Sequence, residues 1–384
     1  MVNTFTENCP RLSFVFPCLN EEKTIETCVC QVRQGLDQKN INYEIVVADN
    51  GSTDHSREIA TRLGCRVVAV PERGYGAALR GGIEAAYGEH VMFADCDNTY
   101  LYSDAGRLYQ RALDTNADMT IASRIDGKIE AGAMPLLHRW LGTPVLTWLI
   151  NCLFDGRLTD CNSGFRCVRK AAFDSWQIRS NGMEFASELL IKALKAKAVV
   201  VEISSGLRCG PPGRVAHLRT WRDGMRHLLF ILSEKPRLFE LSGLLGLVVA
   251  TLLQAVAFVM GPTRILETFN IFDLHSQALL LLGAVVGAQI YLFSCVLHLG
   301  SEDRKLKITN KLIHLDEGVL FFTLLSALVA TFLLSGYVVV AWSLSRFSNL
   351  NLAHHLLPLS HATVIPIMIT FGMLGLHVLK KAQQ

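Results

Sequence analysis

Two aspartates stand one residue apart in the segment M-F-A-D-C-D-N-T-Y, directly after an apolar run. Asp95 and Asp97 repel each other unless a positive group lies between them. Mg²⁺ takes one or two carboxylates from a protein and fills its remaining positions with phosphate oxygens and water. The pair is therefore a candidate site for a divalent cation that carries a phosphorylated ligand. An isolated D-x-D is more often an Asx turn after a strand, so its surroundings decide between the two interpretations.

The elements that would position this pair alternate between strand and helix. Predicted strands are 11–17, 43–49, 65–70 and 90–95, and predicted helices are 21–36, 54–63 and 74–88. Such alternation indicates an α/β fold with a mostly parallel sheet. Ligands of these sheets bind beyond the carboxyl ends of the strands. Polar clusters follow three of the predicted strands, at 17–21, 49–52 and 95–97, and we expect them to converge on one crevice.

The glycine-rich segment G-Y-G-A-A-L-R-G-G at 74–82 resembles a phosphate-binding loop only superficially. Its glycines do not have the G-x-G-x-x-G spacing, and it follows the third predicted strand instead of the first. It also lacks the Lys-Ser or Lys-Thr of a P-loop. A dinucleotide site and a P-loop are therefore both disfavoured, and the role of this segment is left open.

Long apolar stretches dominate the end of the chain. The predicted membrane spans are about 239–260, 276–298, 318–343 and 362–380. The sequence thus predicts a polar domain over 1–236 and a membrane domain over 237–384. Ionisable residues are almost absent from the spans, apart from Glu240 at the start of the first, which is typical of an anchor. The segment 221–236 mixes basic and apolar residues, so it is either an amphipathic interfacial helix or a cytosolic helix leading into the first span.

Loop charge predicts the orientation of these spans. Basic residues concentrate before the first span, between the second and third, and in the tail, whereas the other two loops hold only Arg264 and Arg346. Positive loops stay cytoplasmic, so we expect a multi-pass protein of the plasma or inner membrane with its polar domain and C-terminus in the cytoplasm. The eleven cysteines lack zinc spacing and fit a reducing compartment. A net charge of +3 argues against a nucleic-acid partner.

Several motifs occur together and in order: FVFPCLNEE, VVADNGSTD, ERGYGAALRGG, ADCDNTY, ASR, DCNSGFR and GMEFASELL. Over roughly residues 11–230 the chain resembles a family 2 glycosyltransferase with the GT-A fold. It looks most like dolichol-phosphate mannose synthases and bacterial polyprenyl-phosphate glycosyltransferases. This resemblance implies a hexosyltransferase with a GT-A catalytic domain and a C-terminal membrane domain. It also implies a UDP- or GDP-sugar donor, a polyprenyl or dolichyl phosphate acceptor, and Mg²⁺ or Mn²⁺.

The resemblance assigns roles on the donor side. The residues it places around the nucleotide are Pro17, Asn20, Glu21, Asp49, Ser52, Arg73 and Gly74. Asp49 would meet the base, and Asp95 and Asp97 would hold the cation against the diphosphate. The chain departs from the usual D-D-G-S by carrying Asn50, which puts the base contacts and the identity of the nucleotide in question. It also departs from the commoner D-A-D by carrying Cys96, which leaves both carboxylates in place.

The acceptor side is assigned in the same way. Arg124 and Arg139 match the arginines that hold the acceptor phosphate, with Thr143 assisting. The residues that would border the sugar and acceptor are Asp160, Ser163, Arg166 and Glu184. Glu184 and Glu188 lie four apart on a predicted helix, where they either bind sugar hydroxyls or are solvated. Arg214 belongs to a basic segment that closes over the donor diphosphate in relatives, and attraction to anionic headgroups is its alternative role.

Three functions follow from these patterns. The leading one is metal-dependent inverting transfer of one sugar to a polyprenyl phosphate, which supplies lipid-linked sugar for envelope glycan or glycoprotein synthesis. A phosphate acceptor is already ionised and needs cations more than a general base. The second is transfer to a glycerolipid or other hydroxyl, which needs a base such as Asp160 or Glu184. The third is a non-catalytic membrane scaffold, or a small transporter, with a degenerate transferase domain. Oligomer formation through the apolar helices is left open.

Overall fold

The structure, a computed structural model, describes residues 9–211, 220–266, 269–299, 305–344 and 353–382. The chain forms two compact units, Met1–Leu232 and Ser233–Gln384. The elements of the first unit are β1 (Leu12–Cys18), α1 (Ile25–Asp37), β2 (Tyr43–Asp49), α2 (Ser56–Arg62), β3 (Arg66–Ala69), α3 (Tyr75–Ala85), β4 (His90–Phe93), α4 (Ala105–Asp114), β5 (Met119–Ser123), α5 (Thr143–Phe154), β6 (Arg166–Arg169), α6 (Lys170–Trp176), α7 (Phe185–Lys195), β7 (Val200–Ser204) and α8 (Thr220–Ser233). A 3-10 turn at Tyr102–Asp104 and a π-helical turn at His138–Gly142 complete it.

The seven strands of the first unit form one sheet with the order β3-β2-β1-β4-β6-β5-β7. The pairs β1–β2, β1–β4, β2–β3 and β5–β7 are parallel, whereas β6 is antiparallel to both β4 and β5. The predicted α/β fold with a mostly parallel sheet is therefore confirmed. The reversed strand β6 was not predicted, and it has a consequence for the site. Because Arg166 at its start pairs with Phe93 at the end of β4, the chain enters β6 at the edge where β4 ends.

Helices cover both faces of the sheet because the central strands are buried on both sides. On β1, Phe14 and Phe16 join a core shared with α1 and α4, while Val15 joins a second core with α3 and α7. Pro17 is tolerated near the end of this central strand because pairing with β4 stops at Val15. A missing backbone N–H at Pro17 therefore leaves no gap in that ladder.

The helix α8 packs against the rest of the first unit. Ile231 is fully buried in the second core, and the His227 ring bonds the Ser187 hydroxyl of α7 at 2.8 Å. Met225 and Leu229 remain exposed. One face of this basic and apolar segment is thus covered by the core that α3 and α7 share with the sheet.

The second unit contains long apolar helices. Its elements are α9 (Pro236–Met260), β8 (Thr263–Leu266), β9 (Phe269–Ile271), α10 (Leu274–Leu297), α11 (Lys307–Ile313), α12 (Glu317–Leu344) and α13 (Ala353–Ala382). Four of its segments are long and apolar enough to cross a bilayer, namely α9, α10, α12 and Leu356–Lys380 within α13. They coincide with the four predicted stretches.

Polar side chains face the interior of this second unit. Glu240 and His298 are both fully buried, with 3.4 Å between Glu240 Oε2 and His298 Nε2. The backbone N–H of Leu306 donates to Glu240 Oε1 at 3.0 Å. Elsewhere the Thr251 hydroxyl bonds the ring of His361 at 3.0 Å. The sequence indicated an anchor almost free of ionisable groups, whereas the structure shows buried polar contacts that join its helices.

The helices α9 and α10 approach each other through glycines. A β-carbon at Gly243 would lie 2.5 Å from the backbone nitrogen of Tyr291, and one at Gly287 would lie 2.5 Å from that of Leu247. Contacts this short require small residues on both helices. By contrast, nothing lies within 4 Å of a β-carbon at Gly336 on α12.

Gly243 and Gly336 allow the same substitution to be compared at a close helix contact and at an open position. We expect Gly243→Ala to lower the free energy of unfolding by about 2 kcal/mol, because the methyl group forces the two backbones apart. Gly336→Ala should instead be neutral or stabilising by up to about 1 kcal/mol, since alanine favours the helix. Thermal unfolding of the detergent-solubilised protein compares the two variants. Equal shifts in melting temperature would contradict the close contact of α9 and α10.

Candidate active site

The two aspartates of the D-x-D segment follow β4 directly. Asp97 is 8% exposed, and its Oδ1 accepts hydrogen bonds from the Thr99 backbone N–H at 3.0 Å and the Thr99 hydroxyl at 2.6 Å. Asp95 Oδ1 accepts from the Tyr75 hydroxyl at 2.7 Å. The intervening Cys96 is buried in the core between the sheet and α1. The Asx turn is thus present, and it orients Asp97 instead of competing with a role in metal binding.

The loops after β1 and β2 are tied to each other. The Asn20 backbone, at φ 58°, donates its N–H to the Ser52 hydroxyl at 3.0 Å, and the Asn20 side-chain oxygen accepts from the Thr53 N–H at 2.8 Å. Asp49, 2% exposed, accepts from the Ser52 N–H at 3.1 Å. Glu21 donates its N–H to Ser56 Oγ at 2.8 Å. Pro17, half-buried, precedes this loop, so the predicted nucleotide residues of both strands share one edge of the sheet.

Asn50 joins this edge to the loop after β3. Its amide nitrogen donates to the carbonyl oxygens of Val70 at 3.1 Å and Glu72 at 2.6 Å, and its amide oxygen accepts from the Gly74 N–H at 2.8 Å. The Arg73 guanidinium donates to the Asn50 carbonyl at 2.9 Å. This arrangement explains the departure from D-D-G-S, because a carboxylate could not donate to two carbonyls. Asn50 therefore positions Arg73 and Gly74.

Arg124, immediately after β5, is held by Asp160. Its Nε and one terminal nitrogen donate to the two carboxylate oxygens at 2.7 and 2.8 Å, and its backbone N–H donates at 3.1 Å. The Asp160 side chain is fully buried, and that of Arg124 is 13% exposed. Burial opposes ionisation of Asp160, yet the Arg124 charge and these bonds hold the pKa of the carboxyl below its usual range. The pair fixes Arg124 in a charged form beside the loop before β6.

Two residues that were expected near the substrate, Arg166 and Ser163, bond to backbone groups in the structure. Arg166 is fully buried and donates to the carbonyl oxygens of Ser163, Ala186 and Cys161 at 2.7–2.9 Å. Ser163, also fully buried, donates its hydroxyl to the Ala122 carbonyl at 2.6 Å. In this geometry both polar groups are engaged with backbone inside the protein, and their contact with sugar or acceptor stays a prediction. They shape the loop that carries Asp160.

The two glutamates near the start of α7 differ from each other. Glu188 is buried and accepts from the backbone N–H groups of Arg179 and Ser180 and from Lys192, so it is not the solvated residue that was one of its two predicted roles. Glu184 accepts from the Gly182 N–H at 3.2 Å through Oε1, while its buried Oε2 has no hydrogen-bond partner among the described residues. Glu184 therefore keeps acceptor capacity for a ligand. Arg214 lies outside the described residues.

Arg139 and Thr143 lie on an exposed apolar stretch. Arg139 is exposed in the π-helical turn, with its guanidinium 5.4 Å from the Trp140 ring centre, whereas Thr143 is buried and faces the Asn162 amide at 3.4 Å. Large apolar side chains around them face outward, namely Leu136, Leu137, Trp140, Leu141, Val145 and Trp148. We call residues 136–148 the apolar ridge. Trp140 is 72% exposed and Trp148 62% exposed, which is far more apolar surface than a soluble helix usually presents.

Sequence reasoning missed the residues that surround Asp95. Tyr75 donates to Asp95 Oδ1, and the Tyr100 hydroxyl accepts from the Gly164 N–H at 2.7 Å. A β-carbon at Gly164 would lie 3.1–3.3 Å from Tyr100 Oη, Asp95 Oδ2 and Tyr75 Oη. A glycine is thus needed where these three side chains meet. The available signal was the tyrosine between two glycines at the start of a predicted helix.

The donor set at the end of β4 fits a hard divalent cation. Asp95 and Asp97 supply carboxylate oxygens from one strand end, which is the protein contribution that Mg²⁺ or Mn²⁺ takes at phosphate sites. Within the described ranges no group of three or more His, Cys, Asp or Glu side chains is placed to enclose a metal ion. A cation bound here would therefore depend on ligand oxygens and water for its remaining positions.

Comparison with known proteins finds a glycosyltransferase family model and several glycosyltransferases. Residues 13–176 match the family model described as Glycosyl transferase family 2. The chain is 31% identical over 379 residues to the low-salt glycan biosynthesis hexosyltransferase Agl6 of Haloferax volcanii, covering 97% of this chain and 90% of that protein. It is 24% identical to the dolichol-phosphate mannosyltransferase of Pyrococcus furiosus over 62% of this chain and 70% of that protein. Among solved structures, glucosyl-3-phosphoglycerate synthase from Mycobacterium tuberculosis in complex with Mn²⁺, UDP and phosphoglyceric acid matches with a TM-score of 0.45 and 23% identity, over 58% of this chain and 76% of that one.

The Asn50 geometry predicts a pH-dependent defect. In Asn50→Asp, a carboxyl faces the carbonyl oxygens of Val70 and Glu72, which disfavour its charged form and raise its folded pKa above the unfolded value of about 3.9. Stability is then retained below that value and lost as pH rises through the folded pKa. We expect a loss of about 2 kcal/mol near neutral pH that shrinks as the solution is acidified.

Thermal unfolding of wild type and variant between about pH 5 and pH 8 measures this defect. Asn42→Asp is the control, because Asn42 is exposed and its amide bonds only the Cys9 carbonyl among the contacts that the structure gives. A defect of equal size at both ends of the pH range would contradict the donor role of Asn50.

Proposed function

The chain belongs to glycosyltransferase family 2, and from that premise we propose that it transfers one sugar from a UDP- or GDP-sugar to a polyprenyl or dolichyl phosphate. The transfer inverts the anomeric carbon, requires Mg²⁺ or Mn²⁺, and takes place at the cytoplasmic face of a membrane. Its product would supply lipid-linked sugar for envelope glycan or glycoprotein synthesis. The observation that carries the proposal is the pairing of a D-x-D carboxylate edge with arginines, one of which stands on an exposed apolar ridge.

The donor would lie across the ends of β1, β2 and β4. Asp49, Asn50 and the Asn20 loop form a rigid wall for the nucleoside, and Asp95 and Asp97 would hold the cation beside the diphosphate. A bound divalent cation neutralises the charge that develops on the departing nucleoside diphosphate. Glu184 would accept a hydroxyl of the sugar through its buried oxygen. These residues orient the donor before any bond is broken.

The acceptor phosphate would be held by arginines. Asp160 engages Nε and one terminal nitrogen of Arg124, so the other terminal nitrogen is the one that a phosphate oxygen would meet. Arg139 presents its guanidinium from the apolar ridge, beside which the prenyl chain of the acceptor can lie. The Pyrococcus relative, named a dolichol-phosphate mannosyltransferase, supports an acceptor of this class.

A hydroxyl acceptor is less well supported because it needs a general base. Asp160 is unsuited to that role, since Arg124 binds both of its oxygens and its pKa is lowered. Glu184 is the remaining candidate, because one of its buried oxygens lacks a hydrogen-bond donor in the described part of the chain. This single observation keeps transfer to a glycerolipid as the second candidate function.

The membrane arrangement of the proposal rests on the four apolar helices and on loop charge. An even number of spans would put the catalytic unit, the basic loop with Lys305, Lys307 and Lys311, and the C-terminal tail on one side. That side would be the cytoplasm, because loops rich in lysine and arginine stay cytoplasmic.

A donor and acceptor screen tests the proposal. Purified protein with Mn²⁺ or Mg²⁺ is offered UDP- and GDP-sugars with either a polyprenyl phosphate or a diacylglycerol. We expect transfer to the lipid phosphate only, abolished by chelation. Asp97→Asn should lower the rate by about 100-fold or more, because it removes charge that stabilises the leaving group, and Asp95→Asn should cost less.

The outcomes of this screen are distinct. Transfer to diacylglycerol alone, lost in Glu184→Gln, would replace the leading proposal by the second one. Equal and mild losses in both aspartate variants would show that the D-x-D segment serves only as a turn.

The orientation of the protein in the membrane is tested separately, by labelling single cysteines in the tail and in the basic loop of the protein in intact cells.

The apolar ridge generates a further prediction. We expect the double variant Trp140→Ser with Trp148→Ser to lower transfer to a long-chain polyprenyl phosphate in vesicles by about tenfold or more. The reason is that each aromatic side chain that leaves water for the lipid contributes about 1.5–3 kcal/mol to binding. Transfer to a short, water-soluble prenyl phosphate should change much less. Leu113→Ser, at an exposed leucine of α4, is the control. Equal losses with both acceptors would contradict a lipid-facing ridge.

A further inference from the structure

The G-Y-G segment at 74–76 lacks the spacing of a phosphate-binding loop, and the structure points to another role for its tyrosine. We propose that Tyr75 is a positioning residue that orients the Asp95 carboxylate for the divalent cation. This inference rests on the metal site of the proposed function. It assigns the glycine-rich segment to building the metal-binding edge and not to holding a nucleotide directly.

The start of α3 is closed to an anion. The backbone N–H groups of Gly76 and Ala77, which an anion would need, donate to the Asn181 carbonyl at 2.9 and 3.2 Å. Gly74 adopts φ +134°, and a β-carbon there would lie 2.0 Å from the Asn181 oxygen. At Gly76 a β-carbon would lie 2.4 Å from the Ser180 carbonyl oxygen. Both glycines therefore admit a backbone segment against the helix start, and this contact fixes the helix position that carries Tyr75.

The Tyr75 side chain is directed at Asp95. Its ring packs against the core between the sheet and α7, and its hydroxyl donates to Asp95 Oδ1 at 2.7 Å. The Tyr75 side chain is half-buried, and its hydrogen bond to a carboxylate is of the short, charge-assisted kind. Gly164 leaves room for both groups. A β-carbon at Gly164 would lie 3.3 Å from the Tyr75 hydroxyl and 3.2 Å from Asp95 Oδ2.

The consequence is an oriented carboxylate before any cation binds. With Oδ1 fixed by Tyr75, rotation of the Asp95 carboxylate is restricted. On the neighbouring ligand, Thr99 bonds Asp97 Oδ1 in the same manner. Groups that hydrogen-bond to metal ligands set their orientation, and replacing such groups typically lowers metal affinity by about 10–100-fold. Phenylalanine at 75 keeps the ring and removes only the orienting hydroxyl.

Direct binding of Mn²⁺ tests the proposal. Electron paramagnetic resonance gives the dissociation constant of Mn²⁺ for the full-length protein in detergent, with and without UDP or GDP. We expect Tyr75→Phe to raise this constant by about 10–100-fold, and to raise the Mn²⁺ concentration that gives half-maximal transfer, while the rate at saturating Mn²⁺ changes much less. Tyr43→Phe is a matched control, because Tyr43 donates to Asp37 at 2.8 Å at the start of β2, outside the site.

The results separate this inference from the function on which it rests. An unchanged Mn²⁺ constant in folded Tyr75→Phe would overturn the positioning role, as would a rate loss that saturating Mn²⁺ does not restore. Wild-type protein without measurable Mn²⁺ or Mg²⁺ affinity would instead overturn the metal dependence itself. If Tyr75→Phe does not fold, Gly164→Ala takes its place, because the added methyl group presses on both Tyr75 Oη and Asp95 Oδ2. Wild-type Mn²⁺ affinity in Gly164→Ala would then count against the proposal.

Discussion

The candidate site depends on the hydrogen bonds and the ion pair that stabilise several aspartate carboxylates at one edge of the sheet. Asp49, Asp95, Asp97 and Asp160 are all wholly or largely buried there, and buried carboxylates are costly unless they are bonded. Each is stabilised differently: Asp49 by backbone N–H groups, Asp95 by a phenol, Asp97 by a threonine, and Asp160 by an arginine. Among these contacts of the described residues, Asp160 is the one bound by a bidentate cation. The hydroxyls of Tyr75 and Thr99, which donate to Asp95 and Asp97, are neutral.

The reversed strand β6 is what brings the second half of the site to this edge. Its antiparallel direction places Arg166 beside the end of β4, so the loop before β6 reaches the same edge as the loops after the parallel strands. The same reversal brings the end of β5 to that edge, because Ile121 also pairs with Arg166. Asp160 and Arg124, distant in sequence, meet there as a buried pair. A fully parallel sheet would place the loop before β6 on the opposite side.

Part of this organisation could be predicted from the sequence. The strand ends after β1, β2 and β4 were identified because polar residues follow apolar runs, and the family because several motifs occur in order. The partners that individual side chains find in the folded chain were not predictable. Ser163, Arg166 and Glu188 occur in motifs that resemble substrate sites, yet tertiary contacts turn them toward backbone carbonyl and N–H groups. The contacts of Tyr75 and Asn50 were not foreseen, since their partners lie at least 20 positions away along the chain.

The two proposed substrates would require different protein surfaces. In the first unit, these surfaces would be the edge of the sheet for the donor and the apolar ridge for the acceptor. A nucleotide sugar is water-soluble and highly charged, and the edge proposed for it consists of short loops locked by hydrogen bonds. A polyprenyl phosphate joins one anionic group to a long apolar chain, which calls for cations adjoining exposed apolar surface. The apolar ridge combines both properties within one helical segment, since Arg139 neighbours Trp140. Such a surface is costly in water but stable at a bilayer, where tryptophan and arginine side chains reside readily. The composition of this ridge therefore favours an acceptor that remains in the membrane during transfer.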